Sequence, residues 1–425
     1  MKLENIVNLF LISCNILFSA ITMSLISPFY PSVALEKGVT VTQSGLVMAT
    51  VFVTNIIVTP LCGKYIKVLG ARSFFIVGFF IVGFGNFCFA FLIHLEDTNT
   101  FFGLSILLKF LTALGQAAST PAAYTLAAKQ VLEKNRGKAM SALEACFGIG
   151  TIVGPTVGGG LYDIGGFSLP FWVSGSTIVF MALMTLLFFK DSKDFETNSE
   201  EEKTVKWLSI LKLPGVIISF FSVLFAGIAW NWFSASLEPF MKETFSSSAS
   251  EVGLVFLTLG LTYTVFTPVF GFLTDRGLDG LLTCILGNSL IAVSFILLGP
   301  IPPLSFLESS TWMMFVSLGI TGVGSAATYI GTLLYMLRSA RESGLPGTEQ
   351  TSGMVSSVWV VAGCVGGTTG STMGGVAYDT IGFEWGSMVM FLSLSTTVMI
   401  LIIYLARVKL SDGRKQGEKG ETEGD

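Results

Sequence analysis

Charge is scarce in this sequence. Only 12% of its 425 residues are Asp, Glu, Lys or Arg, against about a quarter in an ordinary soluble domain. The net charge is −4, and no basic domain stands out that could hold the phosphates of a nucleic acid. There is a single His and no His-Glu-x-x-His string, which argues against metal-dependent hydrolysis. The six cysteines (Cys14, Cys62, Cys88, Cys146, Cys284, Cys364) all fall in or at the ends of apolar segments, so no disulfide framework is implied. No Asn-x-Ser/Thr sequon occurs. What fills the space is apolar: 52% of the residues are hydrophobic, with 37 Phe and a mean hydropathy of +0.73. A soluble chain of this size could not bury that much apolar surface, so most of it must be dissolved in lipid.

Twelve apolar segments follow one another: 8–33, 43–62, 72–94, 101–127, 138–161, 169–190, 213–238, 250–273, 280–300, 311–337, 350–377 and 386–407. They are too long for strands and lack the alternation of a β-barrel. They are predicted to be helices, because a spanning segment must satisfy its own backbone. The first is too long for the core of a cleaved secretory signal and reads as a retained helix. A polar linker, 191–212, contains "DSKDFETNSEEEKTVK" and divides the chain into six-helix halves, 1–190 and 213–410. Residues 411–425 are rich in Gly and charge and predict a disordered tail. With both termini placed in the cytosol, 21 of the 24 Lys and Arg lie on the cytosolic side. Only Lys37 and Lys242 fall outside, and Lys109 lies within the fourth segment. The positive-inside rule therefore predicts a multi-pass protein with both termini cytosolic.

The halves repeat one another. "GLVMATVFVTNIIVTPLCG" at 45–63 matches "GLVFLTLGLTYTVFTPVFG" at 253–271 in eight of 19 positions. "GPTVGGGLYD" at 154–163 matches "GSTMGGVAYD" at 370–379 in six of ten. Segment 2 thus corresponds to segment 8, and segment 5 to segment 11. Transporters built as parallel repeats place substrate between the halves near the midplane and rock about it.

In segment 5, Gly150, Gly154 and Gly158 recur at i, i+4 and i+8, with Pro155 and Gly159 beside them. This spacing puts a flat stripe on one helix face and permits close approach by a neighbour. Pro155 bends the helix and frees a carbonyl. The stripe is a packing seam at the least, and a hinge on the sharper reading. Its copy in segment 11 keeps Gly370 and Gly374 but has Ser371 in place of the proline.

Three ionisable residues lie in the membrane: Lys109, Glu144 and Glu238. Each costs about 2.5–3.5 kcal/mol at mid-bilayer, so each is a functional candidate. A Lys109–Glu144 pair tying segment 4 to segment 5 is the structural alternative, and Glu238 could sit in the outer interface. Low dielectric favours the neutral form of an acid, and an intramembrane carboxylate can thus exchange a proton as well as pair with an organic cation. One acid cannot hold both at once, which is the logic of an exchanger. Aromatic faces attract cations. Trp230, Trp232, Tyr263, Tyr329 and Trp359 are candidates, with Trp359 foremost. Asn231 and Tyr124 are polar and are expected to face inward.

The segment 5 string resembles the antiporter motif of the major facilitator superfamily. The loop Gly63 to Arg72, "GKYIKVLGAR", resembles that family's cytosolic loop motif through Gly63, Gly70 and Arg72, with Lys67 where the motif has Asp. The second-half loop "GFLTDRG" keeps Asp275 and Arg276, and the resemblance implies that Asp275 helps latch the cytosolic gate. "SPFYPSVALEKG", "SALEACFGIGTIVGPTVGGGLYD", "LEPF" and "IGFEW" resemble the vesicular amine transporters of solute carrier family 18, nearest the polyamine branch. That resemblance implies a major facilitator fold: an all-α membrane protein of twelve helices in two pseudo-symmetric halves. It implies proton-coupled antiport of organic cations of the polyamine type, with Glu238, Glu144 and Lys109 in the family's acid, acid and Arg positions. Segments 1, 10 and 11 lack the further acids of the monoamine and acetylcholine branches.

The expected partners are a small organic cation, protons and the bilayer, with no nucleic acid, no cofactor and no metal. A monomer is expected, in an intracellular vesicle membrane by resemblance, the plasma membrane being the other candidate. Competing readings are a carrier of a neutral or anionic solute bound by Lys109, and a transport-dead sensor. The pairs Tyr162-Asp163 and Tyr378-Asp379 suggest intramembrane aspartyl proteolysis, but the Gly-x-Gly-Asp partner is missing and the repeat accounts for them better. No enzymatic activity is expected.

Overall fold

The computed structural model describes residues 3–132, 136–189, 210–298, 310–343, 345 and 349–422. Of the expected linker, 191–212, residues 191–209 lie outside the described residues. The described residues are almost entirely helical. In order the helices are α1 (Leu3–Ser24), α2 (Tyr30–Glu36), α3 (Val41–Leu69), α4 (Ala71–Ala90), α5 (Thr98–Gln130), α6 (Arg136–Gly165) and α7 (Ser168–Phe188). Then follow α8 (Pro214–Phe245), α9 (Ala249–Asp275), α10 (Gly280–Leu298), α11 (Thr311–Glu342) and α12 (Glu349–Thr422). Eleven helices among the described residues are long and apolar enough to cross a membrane. The difference from twelve segments is local. α12 is two helices joined at Gly382, whose φ of 83° breaks the helical backbone where only glycine is unstrained. Segments 11 and 12 meet there. The helix also carries on to Thr422, past the point from which composition predicts an unstructured tail.

The first segment divides as well. α1 stops at Ser24 and a short α2 starts at Tyr30. Pro28, between them, has no N–H to donate and clashes with a preceding helical turn. Asp97 caps α5 by accepting from the Thr100 amide at 2.8 Å and its hydroxyl at 2.6 Å. Those bonds hold its carboxyl below the usual carboxylate range.

Residues cluster into two compact units. The first comprises 1–201, 231–261 and 367–383; the second comprises 202–230, 262–366 and 384–425. These do not coincide with the two sequence halves, because parts of α8, α9 and α12 group with the first unit. In the first unit an aromatic core joins Tyr30, Phe89, Phe101, Phe167 and Phe171, each at most 4% exposed. In the second, α10 and α11 pack through facing glycines: a side chain on Gly287 would meet the Gly324 carbonyl, and one on Gly331 would meet that of Gly280. Large apolar side chains such as Phe10, Phe84, Trp312 and Met399 stand exposed, as expected where the solvent is lipid.

Candidate functional site

The glycine stripe of α6 does what its spacing predicts. A Cβ on Gly150 would strike the Leu17 carbonyl, on Gly154 the Ser24 hydroxyl, and on Gly158 the Leu25 carbonyl. All three face α1 and its C-terminal continuation. Gly159, one residue round the helix, faces the Ala249 carbonyl at the start of α9. In α12, Gly370 is buried, and Gly374 lies against the Trp232 carbonyl of α8. Ser371, which replaces the proline, accepts from the Ser234 hydroxyl at 3.0 Å. Gly150, Gly154, Gly158, Gly159 and Gly374 tolerate no side chain without moving backbone. Gly158→Val is expected to destabilise the protein by about 1–3 kcal/mol, read as a lower thermal midpoint of the purified full chain. An unchanged midpoint would show that the seam is not close-packed.

Glu238 is 4% exposed. Its Oε2 accepts from the Ser32 backbone N–H at 2.8 Å, so the carboxylate sits at the first turn of α2, where helix amides lack partners of their own. One turn on, Lys242 pairs with Glu36 at the end of α2, at 3.1 Å. The sequence shows Glu238 as an isolated intramembrane acid. The contact to Ser32, 206 residues away, has no sequence signal.

Glu144 is exposed on α6, and its Oε1 accepts from the Tyr124 hydroxyl at 2.6 Å. Lys109 is a different site. It lies 15 residues before Tyr124 on α5, about 22 Å along the axis at 1.5 Å per residue. A Lys109–Glu144 pair is therefore ruled out in this structure by distance. Lys109 is 6% exposed, with its ammonium 5.8 Å from the centre of the Phe89 ring. Among the described residues no carboxylate lies within ion-pair distance of it.

In the second unit four of the five aromatic candidates form a continuous wall. Trp230 and Tyr263 have ring centres 5.2 Å apart, Tyr263 and Tyr329 6.1 Å, and Tyr329 and Trp359 5.6 Å. Each contact is edge-to-face, the arrangement ring quadrupoles prefer. The rings come from α8, α9, α11 and α12, and each is half-buried. Trp359 donates its Nε1–H to Thr332 at 3.2 Å, which fixes the indole. The fifth candidate, Trp232, is separate: it is 1% exposed and belongs to the first unit. Asn231 is half-buried and receives the Ser234 hydroxyl on its carbonyl at 2.6 Å.

The gate loops are less built. The Gly63 and Lys67 side positions lie outside the described residues. Gly70 holds a φ of 85° between α3 and α4, a conformation natural to glycine. Arg72 donates to the Leu186 carbonyl at 3.3 Å and stands 5.9 Å from the Phe189 ring centre. In the second unit Arg276 stacks 4.3 Å over Phe272. Asp275 is exposed and makes no side-chain bond among the described residues.

Comparison with known proteins agrees with this architecture. The profile of the Major Facilitator Superfamily matches residues 12–225 and again 219–424. MFS-type transporter SLC18B1 of Mus musculus is 30% identical over 387 residues, covering 90% of this chain and 83% of its own length. The synaptic vesicular amine transporter of Rattus norvegicus is 24% identical over 345 residues, 81% of this chain and 62% of its own. A bacterial homologue of the human lysosomal transporter Spinster, solved inward-facing and occupied, superposes with a TM-score of 0.77. It shares 14% identity, covering 95% of this chain and 97% of that one. The nucleoside transporter NupG gives a TM-score of 0.69 at 12% identity, with 93% and 99% covered.

Proposed function

The chain belongs to the Major Facilitator Superfamily, and from that premise we propose that it exchanges protons for small organic cations of the polyamine type. It is a multi-pass membrane transporter of small molecules and not an enzyme. The observation that carries the finer reading is the wall of Trp230, Tyr263, Tyr329 and Trp359, four half-buried rings on four helices. Counted from Pro214, Asp275, Glu342 and Glu349 at 1.5 Å per residue, they lie about 15–24 Å along their helices. That is near the middle of a bilayer core of about 30 Å. Such a surface suits an ammonium group, which ring faces attract and which needs no full counter-charge there.

Glu144 supplies the exchange chemistry. As a carboxylate it attracts a cation; protonated, it releases one. Tyr124 orients the carboxyl through its hydroxyl without neutralising it. Glu238, in its bond to the Ser32 amide, is a second acid that can change partner during alternating access. The cytosolic placement of both termini and a vesicular location complete the proposal. The similarity to the synaptic vesicular amine transporter of Rattus norvegicus supports it.

The test is uptake of radiolabelled spermidine into proteoliposomes with an acid interior, with putrescine, spermine and monoamines as competitors. Gradient-dependent uptake inhibited by polyamines is expected. Uptake indifferent to the gradient, or to every amine, would overturn the reading.

Lys109, buried with no carboxylate within ion-pair distance among the described residues, favours one alternative, a carrier of an anionic solute. Lys109→Met separates the two. Removing an unpaired buried charge is expected to raise the thermal midpoint by roughly 2 °C or more, while cation uptake survives. If cation uptake never occurs and uptake of an organic anion depends on Lys109, the anionic reading replaces this one.

A further inference from the structure

The two Tyr-Asp pairs are not absorbed by the substrate site, yet the structure gives both the same employment. Asp163, at the end of α6, accepts from the Ser250 backbone N–H in the first turn of α9 at 2.8 Å. Asp379, in α12, accepts from the Thr42 N–H in the first turn of α3 at 2.7 Å and from Val41 N–H at 3.3 Å. Each aspartate therefore binds the opening turn of a helix from the other sequence half.

The receiving turns are prepared for this. α3 is capped by Thr40, which takes the Gln43 amide at 3.2 Å while Gln43 takes that of Thr40 at 2.9 Å. α9 is capped the same way: Ser248 takes the Glu251 amide at 3.2 Å, and Glu251 takes that of Ser248 at 3.0 Å. A capping box satisfies its own two amides and leaves those between them without a partner. Those left-over amides are the ones the aspartates take. The glycines flanking the aspartates bring the backbones close enough. Gly375 faces the Val41 carbonyl as Gly159 faces that of Ala249, and Gly45 faces Ser371 as Gly253 faces Pro155.

The correspondence is that of the sequence repeat. Thr40, Thr42 and Gln43 map onto Ser248, Ser250 and Glu251, and Asp163 maps onto Asp379. All these residues lie within the first compact unit. Around them, Tyr378 donates to Glu243 at 2.7 Å, and Lys242 pairs with Glu36. By contrast Asp275, at the opposite end of α9, has no side-chain partner among the described residues.

We infer that Asp163 and Asp379 are paired latches that hold the non-cytosolic end of this transporter closed, each by binding the exposed amides of a capped helix from the opposite half. They are positioning residues, which set the balance between closed and open outer states without touching cargo. The inference takes its sidedness from the proposed topology, but its test requires no substrate.

The reporter is Ser44, on α3 one turn from the Asp379 contact and fully buried. In purified full-length protein in nanodiscs, Ser44→Cys is reacted with a maleimide, and the parent without that change supplies the background. Asp163→Asn with Asp379→Asn is expected to speed labelling on the order of tenfold, each single change giving part of the effect. Glu at both positions restores the carboxylates and should bring the rate most of the way back. Labelling of the double Asn variant at the parental rate would overturn the proposal. So would equal acceleration by the Glu and Asn pairs, since packing and not the carboxylate would then be the cause. If the double variant fails to fold, the single variants decide by the same criterion. Failure of spermidine uptake with an intact labelling response would sink the substrate reading and leave the latch standing.

Discussion

Replacing Glu144 with Gln is expected to abolish uphill cation uptake, with a fall of about a hundredfold or more. The substitution is close to isosteric. The Gln carbonyl can still accept from the Tyr124 hydroxyl, which binds Glu144 at 2.6 Å. What is lost is the charge that attracts a cation and the proton that displaces it. Because one carboxyl does both, equilibrium binding of spermidine should weaken together with gradient-driven uptake. Tyr124→Phe removes only the orienting hydroxyl and should cost several-fold at most. Proton-driven uptake by Glu144→Gln within about twofold of the parent would remove this acid from the mechanism.

The second large effect is expected at the aromatic wall. Tyr329 touches both Tyr263 and Trp359, so Tyr329→Ala opens the centre of the wall. A desolvated cation–ring contact is worth about 2 kcal/mol, and the apparent KM for spermidine should rise by roughly ten- to thirtyfold. Tyr329→Phe keeps the ring and should move KM little. Trp359→Phe keeps a face but loses the bond to Thr332, and should fall between. A lower maximal rate with unchanged KM would mean that the rings serve packing alone. Thermal midpoints of the same variants separate this outcome from general destabilisation.

These sites differ in how far the sequence foretells them. The helices are legible because lipid demands long apolar runs with internally bonded backbones. Their interruptions are not: the first segment reads as one run through Pro28, and Gly382 becomes a break only through its φ of 83°. The α6 stripe is legible because glycine spacing alone defines a flat face, and its contacts to Leu17, Ser24 and Leu25 follow from that face. Partners are another matter. Glu144 stands out as a charge in lipid, yet nothing in its neighbourhood names Tyr124. The same holds for Glu238 and the Ser32 amide, which belongs to a helix boundary the sequence blurs. The Tyr-Asp pairs show the limit most clearly. Their repetition is visible at an offset of 216, and the capping boxes repeat at 208. Only folding shows that each aspartate serves the helix of the other copy. Burial also separated Trp232 from Trp230, two residues apart on opposite sides of α8.

The central claim is that cation entry and proton exit are one event. Its most direct measurement is the luminal pH of proteoliposomes loaded with an acid buffer and a pH-sensitive dye, followed as spermidine is added outside with the membrane potential clamped. Prompt luminal alkalinisation that saturates with spermidine concentration and is lost in Glu144→Gln is expected. Spermidine entering with no change in luminal pH would contradict it.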